Sequence, residues 1–376
     1  MYQAKYIIAI LVIFTSSLIL GERLSFAKNL DINATGQVIT AFDDNITSVE
    51  KGRRSDFITN LETGLVLLQK GETHELSVKG DLIEQIFAKN SNFDNLSEDL
   101  NLSFKQELSK YDRVAITDIL TNSSEPRTFQ DAFGRSNGRY NIFNNQTGLS
   151  YTHDFSKRLS GEVHASDTVN NYSKSAGVNS VLYQAGTKVN YTFDSATILN
   201  TSYDYIRRIF EHNGSATVNS LLSGVRRYFT SQFYLDLAAG PDFIKTFTGR
   251  NVIKPHYKAA VTDQVDQNNN VSLSFEKQDT TTSYDQDLFN SWRTALNLSR
   301  QFSQRLNGNM NIFYGQGRYE HLGINESFVG VATQVSYDLT RKTKLSAGYN
   351  YTNSLSKNIG NAYRKNYFYI SIGILF

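Results

Sequence analysis

The sequence predicts an all-β chain closed into a transmembrane antiparallel β-barrel of about 16–18 strands, preceded by a cleaved signal peptide. Three observations predict it. First, the last eleven residues, Asn366 to Phe376, alternate strictly: Phe368, Ile370, Ile372, Ile374 and Phe376 share one face, and Tyr367, Tyr369, Ser371, Gly373 and Leu375 share the other. Period-2 patterning marks a strand whose two sides meet different surroundings, here lipid outside and water or polar side chains inside. Second, the chain opens on an export signal. Third, the composition is that of a barrel: 40% hydrophobic residues, 12% aromatics with 22 Tyr and 24 Phe, and only three prolines, Pro126, Pro241 and Pro255. Proline removes ladder hydrogen bonds, so long paired strands exclude it.

Residues 1–27 are read as the signal peptide. A short polar start with Lys5 precedes an apolar run from Tyr6 to Leu20, and Ser25-Phe26-Ala27 supplies a small-x-small cleavage site. The run is about fifteen residues, short of the ~20 a membrane helix needs, and no basic stop-transfer cluster follows. Cleavage leaves residues 28–376 as one outer-membrane β-barrel with no further domain. The chain has no cysteine, hence no lipobox and no disulfide framework.

Alternating segments then recur to the end of the chain. In order they lie near 30–42, 56–69, 73–87, 96–108, 112–121, 145–155, 159–168, 182–193, 196–209, 219–229, 232–245, 253–263, 270–279, 290–302, 305–318, 327–339, 343–353 and 365–376. Short polar turns such as Lys70-Gly71-Glu72, Asp194-Ser195 and Thr340-Arg341-Lys342 join some of them. Longer links near 43–55, 122–144, 169–181, 280–289 and 354–364 join others. That asymmetry matches short periplasmic turns and long outer loops, and an even strand count returns both chain ends to the periplasm. Phe155, Phe193, Phe229 and Phe302, each just before a short turn, are placed in the periplasmic aromatic girdle.

The large apolar residues set the phase of each strand and therefore what lines the lumen. Leu306, Met310 and Ile312 point outward and Asn307, Asn309 and Asn311 inward; Tyr183, Val189, Tyr191 and Phe193 point outward and Gln184, Lys188 and Asn190 inward. The same rule turns Lys79, Lys105, Arg113, Arg208, Arg226, Lys258 and Arg293 inward, with Glu62, Asp81, Glu107, Glu162, Asp204, Asp236, Glu276 and Asp338. The two signs balance, unlike the one-sided ring of a strongly ion-selective pore. Amides, hydroxyls and Tyr among them suit hydrogen bonding or stacking with sugars; the plainer reading is that these groups satisfy one another and water. The loop 122–144 carries Glu125, Arg127, Asp131, Arg135 and Arg139 among Phe129, Phe133 and Tyr140, and is read either as a constriction or as a surface loop. The candidate lumen and constriction residues are Arg127, Asp131, Arg135, Arg139, Lys188, Arg226, Asp236, Glu276, Arg293 and Asn309.

Catalytic chemistry is not expected. His164 and Ser166 fall on one face of a strand, but an oriented base and an oxyanion site are not legible beside them. No His/Cys/Asp spacing suits a metal, no phosphate loop or dinucleotide fingerprint occurs, and no cofactor is expected. A net charge of +2 gives no case for a nucleic-acid partner.

The terminal Phe376 on an amphipathic strand resembles the C-terminal signature read by the barrel-assembly machinery, which is therefore an expected partner along with the outer-membrane lipid bilayer. Near the start of the mature chain, Ala41-Phe42-Asp43-Asp44-Asn45-Ile46 precedes Ser55-Asp56-Phe57-Ile58-Thr59, then Glu62-Thr63-Gly64-Leu65 and a hairpin at Gly71-Glu72-Thr73-His74. These segments resemble the beta-barrel porin 2 family of bacterial outer membranes, with Thr63-Gly64 standing where the family carries Pro-Gly. The resemblance implies an eighteen-stranded, non-catalytic conduit for secretion of an exopolysaccharide, with the polysaccharide in transit and a periplasmic polysaccharide export protein as partners. The alternative reading is a general or solute-specific uptake porin.

Overall fold

The computed structural model describes residues 30–124, 141–173, 178–211, 214–282, 288–356 and 362–376. The expected signal peptide, residues 1–27, lies outside the described residues. Eighteen strands follow one another: β1 (Leu30–Asp43), β2 (Asp56–Lys70), β3 (His74–Phe87), β4 (Asn95–Glu107), β5 (Asp112–Ser123), β6 (Ile142–Asp154), β7 (Leu159–Tyr172), β8 (Ser180–Asp194), β9 (Thr197–Phe210), β10 (Ser215–Tyr228), β11 (Phe233–Lys245), β12 (Asn251–Asp266), β13 (Asn269–Thr281), β14 (Leu288–Gln301), β15 (Leu306–Tyr319), β16 (Asn325–Asp338), β17 (Thr343–Ser356) and β18 (Tyr363–Leu375). Each pairs antiparallel with the next, and β18 pairs with β1 from Asp43↔Tyr367 to Thr35↔Leu375, so the sheet closes. Closure pairs the backbone around the barrel, as lipid requires, apart from a gap between the long-loop ends of β12 and β13.

The predicted phases hold along the wall. Phe368, Ile370, Ile372 and Ile374 are exposed on the outer face, while Tyr367 and Ser371 are buried inside. Phe155, Phe193, Phe229 and Phe302 stand exposed beside the short turns. A second outward aromatic band, with Phe57, Phe243, Tyr257, Phe275 and Tyr314 exposed, lies toward the long-loop end. Aromatic girdles of this kind flank the apolar band of a membrane barrel.

Several strands run longer than expected, β7 on to Tyr172 and β10 back to Ser215 among them, and the link from β9 to β10 shrinks to residues 211–214. At β10 the reason is a local exception to the phase rule: Ala216, Val218 and Leu222 are apolar yet buried on the inner face, whereas Leu221 faces outward. Inner apolar residues of this kind concentrate at the long-loop end. Ala41, Ile46, Ile58, Phe87 and Tyr367 form one buried cluster, Val218, Ile244 and Leu288 a second, and Phe289, Tyr319 and Phe328 a third. Toward the short turns the inner face is mainly polar; toward the long loops it carries these packed apolar side chains.

Candidate functional site: the lumen and its constriction

Most charges toward the short-turn mouth are arranged as pairs on neighbouring strands. Within β3, Lys79 Nζ also lies 2.8 Å from Asp81 Oδ2. Arg113 reaches Asp154 with two bonds of 2.7 and 3.0 Å, and Arg226 reaches Asp236 likewise at 2.7 and 3.0 Å. Arg226 also lies over the Tyr234 ring at 4.8 Å. Lys258 sits 2.9 Å from Glu276, and Lys344 is 3.7 Å from Asp338. Glu162 stands directly opposite Lys188, and Glu107 opposite Arg113. The balance of signs read from the sequence thus has a local cause, since opposite charges set across a ladder attract and like charges repel. Pairs this accessible are each worth about 0–1 kcal/mol. A passing polar solute can therefore displace one partner at small cost.

The long-loop end is built differently. Pairing of β12 with β13 runs from Asp266↔Asn269 to Tyr257↔Lys277 and stops, although β13 stays paired with β14 as far as Thr281↔Leu288. Two of the chain's three prolines mark the place. Pro241 on β11 and Pro255 on β12 face each other across an unbroken β11–β12 ladder, while the β10–β11 ladder skips between Ser220↔Asp242 and Ser223↔Ala239. A proline has no N–H to donate, so both flanking ladders fail where these two residues turn outward from their shared one. Continuing the β12–β13 register would also set Asp279 against Pro255, on the face that carries Tyr257 into the lipid.

Released from β12, the end of β13 turns into the lumen, and Asp279 and Thr281 become buried. Arg208, four strands along the wall on β9, donates from Nε to Thr281 Oγ1 at 3.2 Å. Leu288 packs with Val218 and Ile244 beneath this tongue. Above the departure point the rim is joined by a Lys254–Glu320 ion pair and by an edge contact of Phe247 with His321 at 5.9 Å. At the root of the tongue, His256 Nδ1 lies 3.2 Å from Asp242 Oδ2, and its Nε2 lies 3.6 Å from Glu276 Oε1. That imidazole links β11, β12 and β13 just where the wall divides. Arg293, on β14 opposite Glu276, lies 4.5 Å over the inward Phe313 ring.

A second inward feature sits at the closing seam. The segment after β1 buries Asn45, Ile46 and Ser48, with Ile46 against Ala41, Ile58, Phe87 and Tyr367. Asn45 donates from Nδ2 to the carbonyls of Val49 and Arg364 at 2.8 and 3.0 Å, and Asp44 accepts from the Asn366 backbone at 2.7 Å. Asp43 and Lys365 form a buried ion pair at 2.8 Å. Asp56 accepts from the backbone of Phe57, Lys89 and Asn90 and from the Asn90 amide. The Asp-Asn and Ser-Asp segments that carried the family resemblance are therefore the residues that tie the first and last strands and the first two outer links together.

Among the sequence-derived candidates, Lys188, Arg226, Asp236, Glu276, Arg293 and Asn309 all lie on inward positions of the ladders. Arg226 and Asp236 meet; Glu276 and Arg293 stand opposite each other; Lys188 and Asn309 lie apart from both pairs. Arg127, Asp131, Arg135 and Arg139 lie outside the described residues. His164 and Ser166 do share a face, but His164 is held 2.8 Å from Asp204, which also accepts from Gln184. That arrangement is a polar brace. The sequence reading missed the tongue and the first outer segment. The signal for the tongue was the pair Pro241 and Pro255, visible as prolines in strands but interpretable only once the register set them face to face.

The family model described as "Putative beta-barrel porin 2" matches residues 251–375. The family resemblance is thus borne out over the stretch from β12 to β18; the N-terminal segments that first suggested it lie outside the matched residues. Among solved structures, the chain is similar to OccAB4 of Acinetobacter baumannii, at 10% identity, over 93% of this chain and 99% of that one, with a TM-score of 0.51. OccK2 (OpdF) of Pseudomonas aeruginosa gives the same figures: 10% identity, 93% and 99% coverage and a TM-score of 0.51. The siderophore receptor PirA of Acinetobacter baumannii matches at 8% identity over 93% of this chain and 81% of that one, with a TM-score of 0.51. At such identities the likeness is one of fold. No curated protein matches the chain.

Proposed function

We propose that this barrel of the bacterial outer membrane is a passive, non-catalytic porin for small polar solutes, with saccharides the favoured class. The observation that carries the reading is the polarised lumen. A mouth lined by weakly paired, charge-balanced side chains leads to packed residues at the long-loop end. Balanced charge favours hydrogen-bonding neutral solutes over a single ion sign. A tongue reaching from β13 to Arg208 leaves room for small solutes better than for a polymer in continuous transit.

Secretion of an exopolysaccharide, with a periplasmic export protein as partner, is the second reading. The polar mouth on the side of the short turns, which face the periplasm in barrels of this class, is the feature that favours it. Two assays separate the readings. In the first, proteoliposomes swell in sugars of increasing size; passage of mono- and disaccharides with exclusion of long oligosaccharides supports uptake. In the second, the gene is deleted in frame; unchanged extracellular polysaccharide supports uptake, and its loss, restored by the wild-type gene, overturns it in favour of secretion.

A further inference from the structure

The outward surface at the long-loop end carries a feature that solute passage does not use. On β15, Tyr314, Gln316 and Arg318 alternate onto the lipid-facing side, and Arg318 lies four positions beyond the exposed Tyr314 toward the rim. Trp292 on β14 lies beside Tyr314, with ring centroids 5.5 Å apart, and stacks on Phe275 at 6.2 Å. This aromatic band marks the membrane interface, where amphipathic rings sit at headgroup level. Arg318 therefore stands at the height of the outer-leaflet headgroups.

Arg318 is shared by two adjoining cavities. One, of about 560 Å³, is lined by Trp292, Gln316, Asn325 and Leu355. The other, of about 450 Å³, is lined by Arg250, Phe247 and Val252 beside the Lys254–Glu320 pair. The second cavity occupies the notch left where β13 departs from β12. Among the described residues neither Arg250 nor Arg318 has an ion-pair partner, and both are exposed. Two uncompensated guanidinium groups thus bracket a groove with amide side chains and apolar walls. Guanidinium groups bind phosphate with two parallel hydrogen bonds, amides suit sugar hydroxyls, and Leu355 with the Trp292 ring offers an apolar surface below.

We propose that this groove binds the phosphorylated headgroup of an outer-leaflet glycolipid, with Arg250 and Arg318 on its phosphates and Trp292 against the lipid. The second cavity borders the constriction through Leu288 and Val252, but the proposal does not depend on which solute the barrel carries.

The chain's only tryptophan lines the groove and serves as the reporter. The mature barrel in detergent is titrated with diphosphorylated lipid A, with the same lipid stripped of phosphate, and with inorganic phosphate, while Trp292 emission is followed. The expected result is saturation by phosphorylated lipid A at a concentration at least about tenfold below that of the stripped lipid. In the Arg250→Gln/Arg318→Gln variant, checked for folding by heat-modifiable migration, that preference should disappear. Equal responses to the two lipids in the wild-type barrel overturn the proposal without reference to any variant. Inorganic phosphate that competes with lipid A at equal concentration also overturns it, since the site then reads a free anion.

Discussion

Asp43 and Lys365 meet at 2.8 Å on the inner face of the seam, with both side chains shielded from solvent. Removing one partner of such a pair strands a buried charge at a cost of about 3–5 kcal/mol, whereas replacing both by apolar groups is often neutral. Asp43→Asn or Lys365→Met alone should therefore lower the urea midpoint of the refolded barrel sharply, and Asp43→Val/Lys365→Met should recover most of the loss. Gly240 is constrained by a different force. A Cβ there would stand 1.7 Å from the Leu221 carbonyl oxygen, which belongs to the neighbouring backbone and cannot rotate away. Gly240→Ala should cost at least the roughly 1–3 kcal/mol of ordinary overpacking, read from the same unfolding curves. The inward charges were legible in the sequence because strand phase follows from the outward Leu, Tyr and Phe. Their partners were not, because Arg226–Asp236 and Arg113–Asp154 depend on cross-strand register, which one strand's pattern does not contain.

Eighteen strands were legible as elements because each shows one apolar face toward lipid and one polar face toward the lumen. The rule weakens where the inner face is apolar too, as at Ala216 and Val218, and there the start of β10 was missed. The tongue at the end of β13 is the element on which passage should depend most. Pro255→Val with Asp279→Val restores a donor to β12 and removes a carboxylate from the lipid side. The β12–β13 ladder should then continue toward Ile253 and Thr281, each regained bond contributing about 0.5–1.5 kcal/mol. Single-channel conductance should rise as the tongue returns to the wall. Unchanged conductance would mean that the tongue does not limit flow.

At the scale of the whole molecule, closure between β1 and β18 places both described chain ends at the short-turn rim, where Phe376 donates its backbone N–H to Ala34 at 2.9 Å and exposes its ring outward. That ring is not packed into the barrel, so its expected role is recognition during assembly. Phe376→Ala should reduce the amount of folded barrel recovered from cell outer membranes while leaving the stability of barrel refolded in detergent within about 0.5 kcal/mol of wild type. The barrel class, the approximate strand count and the polar lumen were all readable from alternation, turn lengths and composition. The uneven bore was not, because it arises from contacts such as Arg208 with Thr281 and Ile46 with Phe87 between segments far apart in sequence.

The proposed passage rests on a bore narrower at the long-loop end, where the clusters and the tongue pack, than at the short-turn mouth. The most direct test is single-channel conductance in a planar bilayer with polyethylene glycols of graded size added to one side at a time. Polymers that enter from the short-turn side and depress conductance should be excluded at the same size from the long-loop side. Equal size limits from the two sides would contradict the account, as would a channel that conducts no current.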